Sequence, residues 1–325
     1  MSRKTQAINS VHAANKKLGG ARISKMQSKR ICFAYIHFCF LHQYPINTIV
    51  DSTPESVQLY IRHLQAQGVS AATQHNKLSA IRQAIRALGK NPDEIGISAK
   101  NLGLVSRRRT GTKEPITNEA LNAAIEKAEL MKEHGFVIAL KLQRLLGYRG
   151  LESLMAIAEL ENHALDANKI TSGNIAITSG TKGGRHRYTQ IIHARAAETY
   201  AVIREALIYM KEHGFLVSGS KAGLKAARSR YHALAIKVGL VGKYAPHSLR
   251  YAYAVEKITE LKNLGYNRQE ALSSVAGFLG HGASRARYIT MVYGKTVVHT
   301  VPIEKRKARI DRAINILKNL GDSSL

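Results

Sequence analysis

Two motifs in the last third of the chain combine residue types that can hold a phosphate and attack it. His247 and Arg250 lie three residues apart directly after Pro246, which favours the first turn of a helix. At this spacing an imidazole and a guanidinium project from one helix face and can point at one anion. His281 follows a second predicted helix, and a tyrosine lies a short way beyond it. Because a lone His-x-x-Arg pair also fits a solvated helix face, the upstream motifs decide the interpretation.

A break in an upstream helix supplies a second arginine. The apolar periodicity predicts a helix that ends at Gly147 and restarts near Gly150. Arg149 then lies at a junction from which its guanidinium can turn into a cleft. Glu152 lies one helical turn beyond, a spacing that suits a packing or ion-pair contact. We therefore expect Glu152 to orient its neighbours and not to react.

A lysine lies on a predicted hairpin. Residues 169–177 and 188–192 are rich in alternating and β-branched residues, and they flank the glycine-rich segment Gly180–Gly184. This pattern is typical of two antiparallel strands joined by a turn. Lys182 lies in the turn and can reach outward.

The composition indicates a polyanionic partner. Of the 325 residues, 49 are Lys or Arg and 22 are Asp or Glu, which gives a formal net charge of +27. The positive charge is spread along the chain, and its simplest partner is double-stranded DNA. A hydrophobic fraction of 45% argues against a disordered basic tail. On charge alone, a basic ribosomal protein remains an alternative.

The sequence predicts a protein of the cytoplasm that needs no cofactor. It contains no long apolar run and no apolar signal core at its N-terminus. Cys32 and Cys39 lie on one predicted helix about 10 Å apart, too far for a disulfide, and are expected to be buried thiols. Neither Cys-x-x-Cys nor His-Glu-x-x-His occurs, so the motifs predict no metal site.

The periodicity predicts a mainly α-helical fold with a small β-hairpin (α+β), divided into two domains. Residues near the N-terminus are polar and basic, and Gly19 and Gly20 close this segment. The expected organisation is a flexible basic arm at 1–22, a helical DNA-binding module at 23–98, a basic linker at 99–115 and a second domain at 116–325. A terminal amphipathic helix is expected from about 302 to 320, available for its own domain or for a neighbour.

The candidate DNA contacts are cations outside the phosphate-binding motifs. They lie on the outer face of the third helix of the module, in the linker and on the hairpin. Such residues track phosphates and carry little sequence information, and a solvated surface is the alternative for each. The candidates are Lys77, Arg82, Arg86, Arg107, Arg108, Arg109, Arg185 and Arg187.

In this order, the motifs resemble the active-site signature of the tyrosine recombinases, or phage-type integrases. The N-terminal helical module resembles the core-binding domain of that family, so the resemblance spans roughly residues 24–295. It implies a core-binding domain followed by a tyrosine-recombinase catalytic domain. It also implies that a tyrosine cleaves DNA through a covalent 3′-phosphotyrosine, frees a 5′ hydroxyl and needs no metal or nucleotide.

The resemblance assigns a role to each motif. Arg149 and Arg250 are expected to grip the non-bridging oxygens of the scissile phosphate. His247 and His281 are expected to add hydrogen-bond donors, and His247 could also take the proton of the tyrosine. Lys182 is expected to protonate the departing 5′ oxygen.

The position of the nucleophile departs from the family pattern. The family's tyrosine usually follows the Leu-Gly-His histidine by nine residues, and Thr290 occupies that position here. Tyr288 lies two residues earlier and Tyr293 three residues later. Because a loop at 282–285 tolerates insertion better than shortening, we predict Tyr293 as the nucleophile, with Tyr288 as the alternative.

The sequence therefore predicts a site-specific DNA recombinase, or integrase, that serves the integration or excision of a mobile element. The resemblance further implies self-assembly on double-stranded DNA as a tetramer, and hence association with the nucleoid and not with a membrane. Two alternatives remain: a type IB topoisomerase-like enzyme with the same cleavage chemistry, and a non-catalytic DNA-binding protein.

Overall fold

The structure, a computed structural model, describes residues 2–20, 22–106, 113–161, 174–218 and 223–293. The chain divides into two compact units, Met1–Arg109 and Thr110–Leu325. We call them the N-terminal and the C-terminal unit and describe each by itself.

Among its described residues, the N-terminal unit contains four α-helices around one apolar core. They are α1 (Arg3–Lys17), α2 (Arg22–Leu41), α3 (Pro54–Ala66) and α4 (Ala71–Ala87), with a 3-10 turn at Ile49–Asp51. The side chains of Thr53 and Ser70 accept hydrogen bonds from backbone N–H groups and so cap α3 and α4.

The predicted flexible arm at residues 1–22 is wrong, because α1 occupies most of it. Ala7, Val11 and Ala14 are buried at spacings of four and three residues, and α1 packs against α2 and α4. The Ser10 hydroxyl also accepts a hydrogen bond of 2.9 Å from the backbone N–H of Ile49. A narrow stripe of small residues among polar ones gives a weak sequence signal, yet it lets helices approach closely.

Both cysteines lie in this core, as predicted. Cys32 and Cys39 are buried free thiols on α2. Burial raises the pKa of the Cys32 thiol to about 12 and that of Cys39 to about 11. Both thiols are therefore protonated and unreactive at neutral pH.

The predicted linker at 99–115 is ordered at both of its ends. Leu102 is buried in the core of the N-terminal unit, which therefore continues beyond residue 98. At the other end, Lys113 donates a hydrogen bond to the carbonyl of Gly242, and Glu114 forms an ion pair with Lys243. The three arginines of this stretch, residues 107–109, lie outside the described residues.

The C-terminal unit contains eight α-helices and one β-hairpin among its described residues. The helices are α5 (Asn118–Leu130), α6 (His134–Leu146), α7 (Glu152–Met155), α8 (Ala196–His213), α9 (Leu224–Lys237), α10 (His247–Asn263), α11 (Arg268–Phe278) and α12 (Ala286–Val292). The strands β1 (Asn174–Ile177) and β2 (Arg187–Gln190) pair antiparallel between α7 and α8, with Ile177 opposite Arg187.

Helix α6 is the centre of this unit, because nearly all of its side chains are buried. It packs against α5, α8 and α10. A second apolar cluster joins α10, α11 and α12 through residues such as Ile258, Val275 and Ile289. The helices that carry the predicted phosphate-binding motifs therefore share one core.

The predicted mainly α-helical fold with a small hairpin is confirmed. The predicted terminal helix at 302–320 lies outside the described residues. No helix in the described part of the chain is long and apolar enough to cross a membrane.

Candidate active site

The helix break at Gly147 positions the first arginine. Gly147 has a φ of 61°, in the left-handed region, and a Cβ atom there would lie 2.4 Å from the ring of Tyr253. Only glycine fits this combination of backbone angle and close contact. The chain turns here, and Arg149 precedes α7, whose first residue is Glu152. The predicted break in the helix is thus confirmed.

Glu152 is the centre of the site. It is fully buried, and its carboxylate accepts hydrogen bonds from the backbone N–H of Arg149 (2.7 Å) and from the Arg149 guanidinium (2.5 Å). Arg187 donates to both carboxylate oxygens, at 2.7 and 3.2 Å. The Nη1 atom of Arg250 lies 3.7 Å from the same group. One carboxylate therefore interacts with three arginines.

The three arginines keep this carboxylate ionised. Burial alone would raise the pKa of Glu152, but the hydrogen bonds and charge of Arg187, with the charges of Arg250 and Arg149, outweigh it and lower the pKa to about 2. The predicted orienting role of Glu152 agrees with these contacts.

Arg187 was predicted to contact DNA, and the structure contradicts this. It is only 5% exposed, and its guanidinium bonds Glu152 and the carbonyls of Gly147 and Phe278. The alternation of β2 is the reason, because Arg187 and Thr189 face inward while Tyr188 faces solvent. The two-residue period of β2 is visible in the sequence, whereas the positive charge of Arg187 by itself favours an exposed position.

Arg250 lies on the first turn of α10 and is completely buried. It donates to the carbonyls of Gly147 and Leu279, and Arg149 also donates to Leu279 at 3.1 Å. The Nε atom of Arg250 is buried without a hydrogen-bond partner among the described residues. Burial above all, with the charge of Arg187, lowers its pKa to about 10, so it stays charged at neutral pH. A buried cation with a spare donor is suited to bind an anion.

His281 and Tyr293 lie next to these arginines. His281 follows Gly280, whose φ is 64° and whose added Cβ would lie 2.8 Å from the Arg187 side chain. The Nε2 atom of His281 lies 3.3 Å from the hydroxyl of Tyr293, within hydrogen-bond distance. Tyr293 is 1% exposed, and its ring packs on Tyr251 with 4.4 Å between ring centroids.

The alternative tyrosine lies on α12, whereas Tyr293 directly follows that helix, and the two environments differ. Tyr288, on α12, is 36% exposed, and its ring centroid lies 4.8 Å from that of His281. Partial burial raises the pKa of its hydroxyl. Among the described residues, the hydroxyl of Tyr293 is hydrogen-bonded to His281, and that of Tyr288 is not. This contact favours Tyr293.

Both histidines of the motifs are neutral at neutral pH. Enclosure in the site, followed by the charges of Arg250 and Arg149, lowers the pKa of His247 to about 4 and that of His281 to about 3. The ring of His247 contacts the ring of Tyr251 and lies 6.5 Å from that of Tyr293. A neutral imidazole can accept a proton, so either ring can act as a base toward Tyr293.

We expect the site to take up protons when a phosphate enters. A bound phosphate offsets the charges of Arg149 and Arg250, which raises the pKa of both histidines. At about pH 5.5, where an ordinary histidine is mostly protonated, DNA binding should take up on the order of one proton at the site. The measurement is calorimetric titration of a DNA duplex in two buffers that differ in ionisation enthalpy.

The control for proton uptake is the double variant His247→Gln and His281→Gln. Other histidines that come near DNA contribute equally to both proteins, so the difference between them reports the site. Equal proton uptake by the variant and the original chain would contradict the expectation.

The hairpin holds the remaining predicted catalytic residue, Lys182, on its tip. Lys182 is exposed and begins a 3-10 turn in which Gly183 has a φ of 73°. Arg185 is exposed beside it. The base of the hairpin is fixed, because the hydroxyl of Tyr253 donates to the carbonyl of Gln190 at 2.7 Å. Lys182 is thus an outward cation on a turn whose base is attached to α10.

The hairpin also packs closely against the start of α7. A Cβ atom at Gly180, where φ is 69°, would lie 2.7 Å from the carbonyl oxygen of Leu151. The glycine therefore lets the end of β1 lie directly on the segment that carries Arg149.

The DNA-contact candidates of the N-terminal unit differ from one another. Arg82 was predicted to face outward, but it is half-buried, and its guanidinium donates to both carboxylate oxygens of Asp93. The prediction failed because this acidic partner lies eleven residues away in the sequence. Arg86 is more exposed and shares the same carboxylate, and the ammonium of Lys77 lies 5.7 Å from the ring centre of Tyr60.

Comparison with known proteins identifies the relatives of this fold. The family model described as Integrase matches residues 103–256, a segment that includes the predicted arginine, lysine and His-x-x-Arg motifs and ends before His281. No curated protein sequence is significantly similar to the chain.

Solved structures share the architecture at low sequence identity. The Tn1549 transposon integrase in complex with transposon right end DNA has a TM-score of 0.60 and 12% identity, over 97% of this chain and 100% of that chain. A lambda integrase tetramer bound to a Holliday junction has a TM-score of 0.55 and 16% identity, over 86% of this chain and 76% of that chain. At these identities the likeness shows a shared fold.

Proposed function

The chain belongs to the integrase family of tyrosine recombinases, and from this premise we propose that it cuts and rejoins DNA through a covalent 3′-phosphotyrosine on Tyr293. The observation that carries the proposal is the contact between the Tyr293 hydroxyl and the neutral ring of His281, near the buried Arg250 and the partly exposed Arg149. A nucleophile, a base and phosphate-binding cations are the groups that this reaction requires.

Arg149 and Arg250 bind the scissile phosphate in this proposal. Both donate to the carbonyl of Leu279, and Arg250 has an unpartnered Nε among the described residues. A phosphate oxygen replaces the carbonyl as acceptor and occupies the spare donor. Because guanidinium groups keep their charge, they also stabilise the additional negative charge of the transition state.

The chemical step transfers one phosphoryl group and two protons. The Tyr293 oxygen forms a bond to phosphorus, and its proton passes to His281 or His247. The bond between phosphorus and the 5′ oxygen breaks, and Lys182 on the hairpin tip gives that oxygen a proton. Religation reverses these steps with another 5′ hydroxyl, so the bond energy is retained and the 3′-phosphotyrosine needs no external energy source.

The DNA partner and the oligomeric assembly of this chain are inferred by analogy with the relatives. The Tn1549 integrase is described in complex with transposon end DNA, and a lambda integrase is described as a tetramer on a Holliday junction. We infer double-stranded DNA as the partner of this chain, assembly as a tetramer, and a role in moving a mobile element at the nucleoid. The partly exposed Lys77 and the exposed Arg86 and Arg185, with the arginines at 107–109, are proposed to contact DNA phosphates.

Strand exchange tests the proposed function. Duplexes that bind the chain tightly are first selected from a library with a random core sequence, and two of them are labelled at different ends. We expect products that carry one end from each parent. Relaxation of supercoiled DNA without exchange would instead support a topoisomerase, and binding with neither activity would support a non-catalytic DNA-binding protein.

A further inference from the structure

The buried arginine on β2 is the most completely bonded cation of the site. All three guanidinium nitrogens of Arg187 donate hydrogen bonds, two of them to Glu152. It also lies over the ring of Tyr148, 5.8 Å from the ring centre. Arg149 is partly exposed, with a side-chain accessibility of 20%, and Arg250 retains an unpartnered donor among the described residues. Arg187 is therefore the most fully bonded of the arginines around Glu152 and, apart from Arg250, the most enclosed: four of its five N–H groups donate hydrogen bonds, and its side chain is 2% exposed.

The charges of the cluster explain what Arg187 contributes. Three arginines and one glutamate give the buried group a net charge of +2 (three minus one). A phosphodiester brings one negative charge, and a second develops on its oxygens as the nucleophile adds. Without Arg187 the net charge would be +1 (two minus one), and the carboxylate would compete with the phosphate for Arg149 and Arg250.

We propose that Arg187 is a positioning residue that occupies the carboxylate of Glu152 and so leaves Arg149 and Arg250 available to the scissile phosphate. The inference rests on the proposed strand cleavage. It assigns Arg187 no contact with DNA. Its effect on the reaction passes through Glu152, with which it makes two hydrogen bonds.

The positioning role and a purely structural role of Arg187 predict different effects of a neutral Glu152. Arg187 also donates to Phe278 and Gly147, so its loss removes structural contacts as well as charge. A purely structural role predicts that a neutral Glu152 cannot compensate for the loss of Arg187. The positioning role predicts that it can, because the group that competes for the catalytic arginines is then neutralised.

The experiment compares Arg187→Met, Glu152→Gln and the double variant. The readouts are the single-turnover rate of covalent complex formation on a nicked selected duplex at saturating protein, the Kd for the intact duplex, and Tm. We expect Arg187→Met to lower the rate by about 100-fold and to change Kd by no more than about threefold. The double variant should be at least about tenfold faster than Arg187→Met, because the unpaired carboxylate is gone.

Two further variants keep the test decisive. Arg187→Lys retains the positive charge beside Glu152 and should cleave faster than Arg187→Met, even if the methionine variant folds poorly. The matched control is the pair of Arg144 and Glu256, a 2.5 Å ion pair on α6 and α10 in which Arg144 is buried. Arg144→Met with Glu256→Gln should affect Tm without slowing cleavage by the folded protein.

The outcomes separate the inference from the proposed function. A rate for Arg187→Met equal to the original, or a double variant no faster than Arg187→Met, would overturn the positioning role. An original chain that forms no covalent complex would instead overturn the proposed strand cleavage itself.

Discussion

Replacing Tyr293 with phenylalanine is expected to abolish the covalent protein–DNA complex. The substitution removes the hydroxyl that lies 3.3 Å from His281 and keeps the ring that packs on Tyr251. Loss of a nucleophile should lower the single-turnover rate by at least about a thousandfold. The measurement is the band of protein-linked DNA on a denaturing gel, formed with a nicked selected duplex.

Tyr288→Phe is the matched control, because it removes the same group from the neighbouring tyrosine on α12. Tyr288 is half-exposed and makes no hydrogen bond to His281 among the contacts of the described residues. We expect its rate to stay within about fivefold of the original, the size of a lost packing contact or a single weak hydrogen bond. Loss of the band in Tyr288→Phe alone would move the nucleophile to that residue.

Replacing Arg250 with lysine is the second change with a large expected effect. The guanidinium reaches two carbonyls from a fully buried position, and a lysine ammonium cannot reproduce that fork. Removing a preorganised donor from a developing oxyanion typically costs about 2.7 to 4 kcal/mol, so cleavage should slow by about 100-fold to 1,000-fold. Single-turnover cleavage at saturating protein measures this loss apart from DNA affinity.

The control for Arg250→Lys is Arg144→Lys, which changes another buried arginine of the C-terminal unit outside the Glu152 cluster. It should lower Tm by a similar amount and leave cleavage by the folded protein near the original rate. If Arg250→Lys cleaved as fast as the original chain, the phosphate-binding role of Arg250 would be wrong.

Local sequence signals predicted the elements of the site well. The glycine break at Gly147 and the Pro246 turn each depend on residues within a few positions. Helix periodicity then placed the motifs on helices that share one core. Such local patterns were sufficient to predict the fold class and the order of helices and hairpin in the C-terminal unit.

The errors arose where a partner is distant in sequence or where a signal is small. Arg187 is buried because it pairs with Glu152. That residue lies 35 positions earlier in the chain, so no local pattern reveals the pair. Arg82 turns to Asp93 for the same reason. Helix α1 was missed because its buried face consists of Ala7, Val11 and Ala14, whose small side chains barely register in a polar segment.

The choice between the two tyrosines also needed three-dimensional contacts. Loop length alone left both Tyr288 and Tyr293 open, since each lies a few residues from the position usual in the family. The contact with His281 depends on how α12 follows the loop after α11, and spacing in the sequence does not determine that geometry.

Identification of the amino acid joined to DNA tests the central claim most directly. The covalent complex formed on a nicked selected duplex is digested with trypsin and nuclease, and the modified peptide is sequenced by mass spectrometry. Cleavage after Arg287 and Lys295 gives one peptide that contains both candidate tyrosines, so fragment ions must locate the adduct. We expect a 3′-phosphate on Tyr293 and a free 5′ hydroxyl on the released strand. An adduct on another residue, a 5′-phosphate linkage, or no adduct with the original chain would contradict the account.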